Sequence, residues 1–404
     1  MHALAPKNYG ADMKKSLLKT LLCLVIAASM VFSMAACGGK TNGGNNETHS
    51  DVPAFVKSME LLYAEGFTVD YYEDGYKLIT VKDGPDIYLV IPENADSAVT
   101  QKLIKSLGVK VIKLYQPITN IYLAATATMC LFDAMDALKN VTMSSLKVDD
   151  WYVQGAIDAM NSGKMAYAGK YSAPDFEQIL AKGCKLALES MMIYHTPEIK
   201  EKLEDLGIPV FVEKSTYENH PLGRTEWIKL YGAFLNLEDK ADEIFSEQVG
   251  YLKEAEKKER TGKTVAFFYI NSSGNVVARK SGDYVCSMIE LAGGKYIFDD
   301  LGGDSDNNLS TVNLDMETFY ATAKDADFIF YNSTIMGEVS DVNALRKMSN
   351  LINDFKAVQQ NNVWCTGENL YQETTGLGQM ILEFNRILSG NTDGSGLKYM
   401  KKLQ

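Results

Sequence analysis

The sequence has little of what enzymes and metal sites are built from. It contains six cysteines and four histidines in 404 residues, with no CxxC pair and no HExxH motif. Without such groupings a zinc site has no ready set of ligands. The G-x-S-x-G, Walker A and G-x-G-x-x-G motifs are also missing, so no serine hydrolase or nucleotide site is indicated. We therefore expect no catalysis and no resident cofactor.

Positive charge is also scarce. The chain has 40 Lys and Arg residues against 52 Asp and Glu residues. The first 37 residues hold four of the basic and one of the acidic residues, which leaves 36 against 51 and a net charge of −15. Nucleic-acid binding draws on an excess of basic residues, so we do not expect this chain to bind nucleic acid.

Long hydrophobic runs are rare as well, and the clearest one is short. It extends over 16 residues from Leu21 to Ala36, below the ~20 apolar residues that a bilayer span needs. The lysine-rich stretch "MKKSLLK", which begins at Met13, precedes it. This order is typical of a secretory signal. The stretch makes Met13 an alternative to Met1 as the expected start of translation.

The apolar run ends at a cysteine, in the order Met34-Ala35-Ala36-Cys37. This stretch resembles the bacterial lipobox, in which the cysteine becomes diacylated and forms the new N-terminus. Two acyl chains hold a protein stably at a membrane. Residues 1–37 are therefore predicted to form a lipoprotein signal peptide with a lipobox, and the alternative is a plain signal peptide with an incidental cysteine. Residues 38–53 are rich in Gly, Asn and Thr and predict a flexible tether, so we expect a lipid-anchored, extracytoplasmic protein.

About 367 residues follow Cys37, too many for one compact core and suited to two lobes. Residues 54–100 predict a small unit ahead of them. Its opening stretch "AFVKSMELLYAEG" has the spacing of a short amphipathic helix. The alternating runs that follow are broken at Asp74-Gly75 and Asp83-Gly84, which predicts hairpin turns and an antiparallel β-meander.

From residue 101 onward strand-like and helix-like stretches alternate, which predicts α/β lobes with largely parallel sheets. The first lobe, 101–223, has predicted strands at 109–115, 120–126, 185–190 and 209–214, and helices at 129–138, 174–183 and 196–207. The second lobe, 261–404, has predicted strands at 264–271, 327–332 and 362–367, and helices at 283–294, 315–325, 344–355 and 374–390. The segment 224–260 between them carries an apolar stripe with helical period. The predicted fold class is therefore α/β, with two Rossmann-like lobes joined by a single long helix.

This order resembles the Fe/B12-type substrate-binding lipoproteins of bacterial ABC importers. The stretches that carry the resemblance are "EKLEDLGIPVFV" (202–213), "YENHPLGRTEWIKLYGAFLN" (217–236) and "YQETTGLGQMILEFNRIL" (371–388), within 118–391. The resemblance implies a monomer that binds an iron(III)-siderophore-type complex between its lobes. It further implies delivery to a permease driven by a partner ATPase, with cobalamin or another corrinoid, or haem, as the alternative cargo.

Ligands of such sheets lie beyond the carboxyl ends of the strands. The candidates there are Thr126, Thr128, Tyr167, Tyr171, Tyr194, Tyr217, His220, Arg279, Lys280, Tyr284 and Tyr371. Tyrosines suit a bulky amphipathic ligand, and the cations suit an anionic chelate. Each tyrosine can instead serve lobe packing, the cations can form an ordinary solvated pair, and His220 can cap a turn. The stretch "LAATATMCLF" replaces the Ser/Pro-rich turn of the resembled family. Arg224 is expected to anchor the connecting helix, and the alternative is that it reaches the cleft.

Two glutamates are candidates for partner contact. Glu177 and Glu317 each follow a loop and open a predicted helix, where the helix N-terminus favours an acid in any protein. The resemblance implies that one such acid on each lobe pairs with arginines of the permease. Two other classes stay open, a surface-anchored hydrolase and an interaction module. A zinc or manganese binder is disfavoured, because beyond the tether only His195 and His220 are available.

Overall fold

The structure is a computed structural model of the chain, and it describes residues 52–298, 300–301 and 310–404. The predicted signal and the predicted site of lipidation, Cys37, lie outside the described residues. Within the described ranges, every helix is too short or too polar to cross a bilayer.

The N-terminal unit is a five-stranded sheet with one helix. Its strands are β1 (Phe55–Ser58), β2 (Phe67–Tyr72), β3 (Lys77–Val81), β4 (Ile87–Ile91) and β5 (Ile112–Tyr115), in that spatial order. Strands β1 to β4 pair antiparallel, whereas β5 follows helix α1 (Ser97–Leu107) and pairs parallel to β4. Asp74 and Asp83 adopt left-handed conformations (φ 58° and 55°) in the two predicted Asp-Gly turns.

The structure differs from two predictions in this unit. The stretch predicted as a helix over 54–66 is strand β1 followed by an irregular segment. Its helix-like spacing is overridden because β1 pairs with β2 and the following amides bind two buried carboxylates. The strand predicted over 109–115 is β5 of this unit, so the unit extends to Tyr115 rather than ending at residue 100.

The first lobe contains a parallel sheet of five short strands. Its strands and a small two-stranded ribbon are β6 (Ile121–Leu123), β7 (Val141–Ser144), β8 (Ala166–Tyr167), β9 (Gly169–Lys170), β10 (Ala173–Pro174), β11 (Leu186–Ser190) and β12 (Val210–Glu213). The sheet order is β12-β11-β6-β7-β8, with β9 and β10 pairing separately. Its helices are α2 (Met129–Ala134), α3 (Gln154–Asn161), α4 (Phe176–Ala181) and α5 (Pro197–Asp205).

Two helices, rather than one, occupy the predicted connecting segment. They are α6 (Pro221–Leu235) and α7 (Glu238–Glu256). The break falls at Asn236, whose left-handed backbone (φ 57°) ends α6, as asparagine tolerates well. The helices pack on each other closely at Gly232, where an added Cβ would lie 2.8 Å from the Cβ of Ala241.

The second lobe contains a mixed sheet of seven strands. They are β13 (Thr264–Ile270), β14 (Val276–Arg279), β15 (Lys295–Tyr296), β16 (Thr311–Leu314), β17 (Phe328–Tyr331), β18 (Val363–Thr366) and β19 (Met400–Lys402). The order is β16-β14-β13-β17-β18-β19, with β15 also paired to β13. Its helices are α8 (Tyr284–Leu291), α9 (Met316–Ala323), α10 (Ser333–Met336), α11 (Val342–Met348), α12 (Lys356–Gln359) and α13 (Leu377–Leu388).

One continuous hydrophobic core runs from the N-terminal sheet through α6 and α7 into the second lobe. Helix α13 crosses α7 at Gly378, where an added Cβ would lie 2.2 Å from the carbonyl oxygen of Gln248. A side chain at that position would force the helices apart. The predicted α/β class with two lobes is confirmed, and the shared helices leave little freedom for large lobe movements.

Candidate ligand-binding cavity

A cavity of about 420 Å³ lies between the two lobes. The first lobe supplies the loop 215–219, which follows the end of β12, and the connecting helix supplies Arg224. The second lobe supplies residues between β14 and α8 and the segment that leads from β18 into α13. The cavity is in the size range of sites for small organic ligands.

Arg224 joins the two walls of the cavity. Its Nε donates to the carbonyl oxygen of Glu218 at 3.1 Å, and its Nη2 donates to that of Thr216 at 2.5 Å. The guanidinium carbon lies 3.8 Å from the ring centroid of Tyr284 in the second lobe. Burial lowers the pKa of Arg224, but a guanidinium stays charged at neutral pH. The side chain therefore presents a fixed positive charge in the cavity.

Arg279 supplies a second positive charge from the opposite lobe. It is the last residue of β14, and its Nη1 lies 3.5 Å from Oδ2 of Asp283 and 3.3 Å from Oγ of Ser310. Burial works against the charge, yet Asp283 and its neighbours raise the pKa of Arg279 above its ordinary value. Asp283 also caps α8 by accepting the amide of Val285 at 2.9 Å. The arginine is thus held by its own lobe.

Three tyrosines complete the cavity walls. Tyr217 is 57% exposed and Tyr371 is 42% exposed, whereas Tyr284 is buried beneath Arg224. Exposed aromatic rings with polar tips suit an amphipathic ligand. The described residues that line the cavity include no histidine, cysteine or methionine. No cluster of potential metal ligands occurs in the described parts of the chain.

The lobes are joined by hydrogen bonds near the cavity. Gln372 accepts the amide of Tyr152 at 2.8 Å and donates to the carbonyl of Asp150 at 2.9 Å. Thr374, which lines the cavity, donates to the carbonyl of Ala127 at 3.0 Å. These contacts between residues more than 200 positions apart in sequence fix the separation of the walls. The two walls of the cavity are therefore tied to each other by direct hydrogen bonds.

Four of the predicted ligand residues come together in this cavity: Tyr217, Arg279, Tyr284 and Tyr371. Arg224, predicted to anchor the connecting helix or alternatively to reach the cleft, lines the cavity while it also holds the loop 215–219. Arg224 lies in the first turn of a helix that follows a strand-end loop, and this position in the sequence indicates a place in the cavity. Asp283 is not among the predicted site residues, although an acid at the first position of a predicted helix indicates a cap.

The other predicted ligand residues do not line this cavity. Thr126 and Thr128 flank the lining residue Ala127, and Thr128 is fully buried. Tyr167 is half-buried, with Nζ of Lys147 at 5.8 Å from its ring.

The remaining candidates lie elsewhere around the first lobe and at the end of β14. Tyr171 packs against the core of the first lobe, and Tyr194 is partly exposed on that lobe. The backbone amide of Lys280 donates to the carbonyl of Ser310. His220 caps α6 by accepting the amide of Leu222 and lies in a neighbouring pocket.

The two predicted docking glutamates occupy matching places on the two lobes. Glu177 lies in the first turn of α4, which Asp175 caps. Glu317 lies in the first turn of α9, which Asp315 caps. Both glutamates are exposed, so each is available to a partner.

The sequence matches the family described as "Periplasmic binding protein" over residues 133–370. This match covers more than half of the chain, and the chain belongs to that family. The predicted family, the Fe/B12-type substrate-binding proteins, is confirmed, and such proteins serve transport rather than catalysis. Proteins of this family work with ABC transporter permeases.

Comparisons with individual proteins agree with the fold. A periplasmic heme-binding protein of Pseudomonas aeruginosa superposes with a TM-score of 0.52 at 12% identity, covering 71% of this chain and 98% of that one. The TroA-like binding protein FepB of Veillonella parvula gives 0.52 at 15% identity, covering 68% and 87%. An uncharacterised lipoprotein of Methanocaldococcus jannaschii is 24% identical over 387 residues, 89% of each chain.

Proposed function

We propose that the protein captures an anionic iron(III) chelate of the siderophore type in the interlobe cavity and delivers it to an ABC importer. The observation that carries this proposal is the pair of arginines, Arg224 and Arg279, on opposite walls of one cavity. Guanidinium groups match the carboxylate or catecholate oxygens of such a chelate. Tyr217 and Tyr371 offer exposed ring faces to its organic part.

The chemistry of the cavity walls favours a chelate over the alternative cargoes, haem and a corrinoid. Haem iron takes an axial ligand from histidine, cysteine, methionine or tyrosine. Among the described residues that line the cavity, tyrosine is the only one of these four types. A chelate whose iron is already fully coordinated needs no such ligand. A corrinoid needs none either, but two arginines favour a ligand with negative charge.

Delivery is proposed to use the exposed Glu177 and Glu317, one on each lobe, as contacts for arginines of the permease. A single exposed ion pair contributes ~0–1 kcal/mol. Two pairs on one rigid body reinforce each other, since the first contact raises the effective concentration for the second. A lipid on Cys37 would keep the monomer near the permease, and the partner ATPase would supply the energy.

The proposal is tested by titrating the purified protein with four compounds: ferric enterobactin, ferrioxamine B, haemin and cyanocobalamin. We expect saturable quenching of intrinsic Trp and Tyr fluorescence by ferric enterobactin, which is a polyanion. The same compound should raise the unfolding temperature, because a ligand of the folded state adds RT ln(1 + [L]/Kd) to stability. If none of the four compounds changes the fluorescence or the unfolding temperature at high concentration, the proposed class of ligand is wrong.

A pair of variants tests the site itself. Arg279→Gln should weaken binding of ferric enterobactin by about tenfold or more, since a hydrogen bond to a charged group contributes ~1.5–3 kcal/mol. Arg386→Gln is the matched control, because Arg386 is 44% exposed on α13, pairs with Glu254 and does not line the cavity. Equal affinities in the two variants would show that the chelate binds elsewhere.

A further inference from the structure

The irregular segment between β1 and β2 is bound by two buried carboxylates. The amides of residues 62–64 donate to Glu226 at 2.7–3.0 Å. The amides of Glu65 and Gly66 donate to Glu218 at 3.1 and 2.8 Å. We call residues 62–66 together with Glu218 and Glu226 the amide clamp. Consecutive amides that converge in this way form an anion-binding nest, here filled by side chains of the same protein.

Both carboxylates of the clamp are withdrawn from solvent. Glu226 is fully buried and Glu218 is 7% exposed. Glu218 also accepts the indole N–H of Trp227 at 2.9 Å, and Lys229 lies 3.3 Å from Glu226. A buried carboxylate without such partners would be strongly unfavourable. Each glutamate therefore depends on the N-terminal unit for much of its hydrogen bonding.

The two glutamates of the clamp differ in their position relative to the interlobe cavity. Glu226 lies within α6 and does not line the interlobe cavity. Glu218 belongs to the loop 215–219, which forms one wall of that cavity. Its own carbonyl oxygen accepts from Arg224, and so does that of Thr216 two residues earlier. A path of direct contacts thus leads from Gly66 through Glu218 and Arg224 to Tyr284 of the second lobe.

We propose that Glu218 is a positioning residue through which the N-terminal unit fixes Arg224 in the ligand cavity. The side chain of Glu218 ties the loop 215–219 to Glu65 and Gly66, and the carbonyls of that loop hold the guanidinium. The inference rests on the proposed function only for the contact between Arg224 and ligand. It makes the N-terminal unit a part of the binding apparatus rather than only a spacer from the membrane.

The first test needs no ligand. Hydrogen–deuterium exchange is measured by mass spectrometry on the wild type, Glu218→Gln and Glu226→Gln. Glutamine keeps the size of the side chain but removes the charge that strengthens the amide bonds. Both variants should exchange faster in 62–66, and only Glu218→Gln should exchange faster in 215–219. Unchanged exchange of the loop 215–219 in Glu218→Gln would overturn the proposal.

The second test measures affinity for ferric enterobactin by fluorescence titration. Glu218→Gln should weaken binding about five- to tenfold, whereas Glu226→Gln should stay within about twofold of wild type. In a background of Arg224→Gln, adding Glu218→Gln should have little further effect on affinity, because that background already lacks the guanidinium that Glu218 positions. The double-mutant cycle measures this coupling. Equal losses in the two glutamine variants, or additive losses with Arg224→Gln, would show a merely structural role.

If Glu218→Gln does not fold, a change at Gly66, whose amide donates to Glu218, provides a second test. In Gly66→Ala the new Cβ would lie 2.8 Å from Oε1 of Glu218 and 3.0 Å from the Trp227 ring. It should loosen the loop 215–219 although residue 66 does not line the interlobe cavity. If the wild type binds none of the compounds, the proposed function fails, and the exchange experiment still decides the role of Glu218.

Discussion

The two lobes bury charge in different ways. In the first lobe, Glu189 on β11 is fully buried, and neither carboxylate oxygen has a hydrogen-bond partner among the described residues. Burial raises the pKa of Glu189 to about 8. In the second lobe, Arg279 lies beside the buried Asp283, which also caps α8. The second lobe thus keeps a paired charge at the cavity, whereas the first holds a neutral acid and depends on Arg224 of the connecting helix for its cation.

The largest expected effect comes from removing the unpaired acid. The folded-state pKa of Glu189, about 8, lies above the ordinary value of 4.5, so its contribution to stability is lost as pH rises from about 4.5 to 8. Glu189→Gln should remove this loss. The variant should exceed the wild type at pH 8 by about 4 kcal/mol and match it at pH 4. Urea unfolding at both pH values measures the difference.

A matched control separates burial from a general change of charge. Glu201→Gln removes an exposed acid from α5 of the same lobe and should leave the pH dependence of stability as in the wild type. If Glu189→Gln and the wild type show parallel stability curves between pH 4 and pH 8, then Glu189 is not protonated in the folded protein at neutral pH.

The paired charge of the second lobe is broken by Asp283→Asn. Asparagine can still cap α8, but it no longer offsets the guanidinium of Arg279. We expect the free energy of unfolding to fall by about 1–2 kcal/mol. Affinity for ferric enterobactin should rise several-fold, because the arginine then has its full charge available to an anion. Urea unfolding and fluorescence titration measure the two effects, and a weaker affinity would contradict the role assigned to Arg279.

Local pattern in the sequence predicts the type of element well where the element is long. The closing helix predicted over 374–390 is α13 (Leu377–Leu388), and the strand predicted over 264–271 is β13 (Thr264–Ile270). The same local pattern cannot predict which residues distant in sequence contact each other in the fold. The break at Asn236 depends on one residue taking a left-handed conformation within a segment whose apolar spacing continues.

The candidate site shows the same limit. Tyr217, Arg279, Tyr284 and Tyr371 were predictable because they follow strand ends or open a helix, where ligands of α/β sheets bind. The stacking of Arg224 on Tyr284 joins residues 60 positions apart across the lobes. The clamp joins residues more than 150 positions apart. The spacing of residues within a short stretch of sequence cannot predict either of these long-range contacts.

The smallest effect on folding is expected at the surface, where the two lobes match. Glu177→Arg and Glu317→Arg should each lower stability by about 0.3–1 kcal/mol, because a cation replaces an acid in a helix first turn, and should leave affinity for ferric enterobactin unchanged. Uptake of radiolabelled ferric enterobactin should fall with each change and most with both, because like charges would then face the permease. Glu201→Arg and Glu290→Arg, exposed acids on α5 and α8, are the controls. Uptake as in the controls would mean that the matched glutamates serve only the electrostatics of their own helix N-termini.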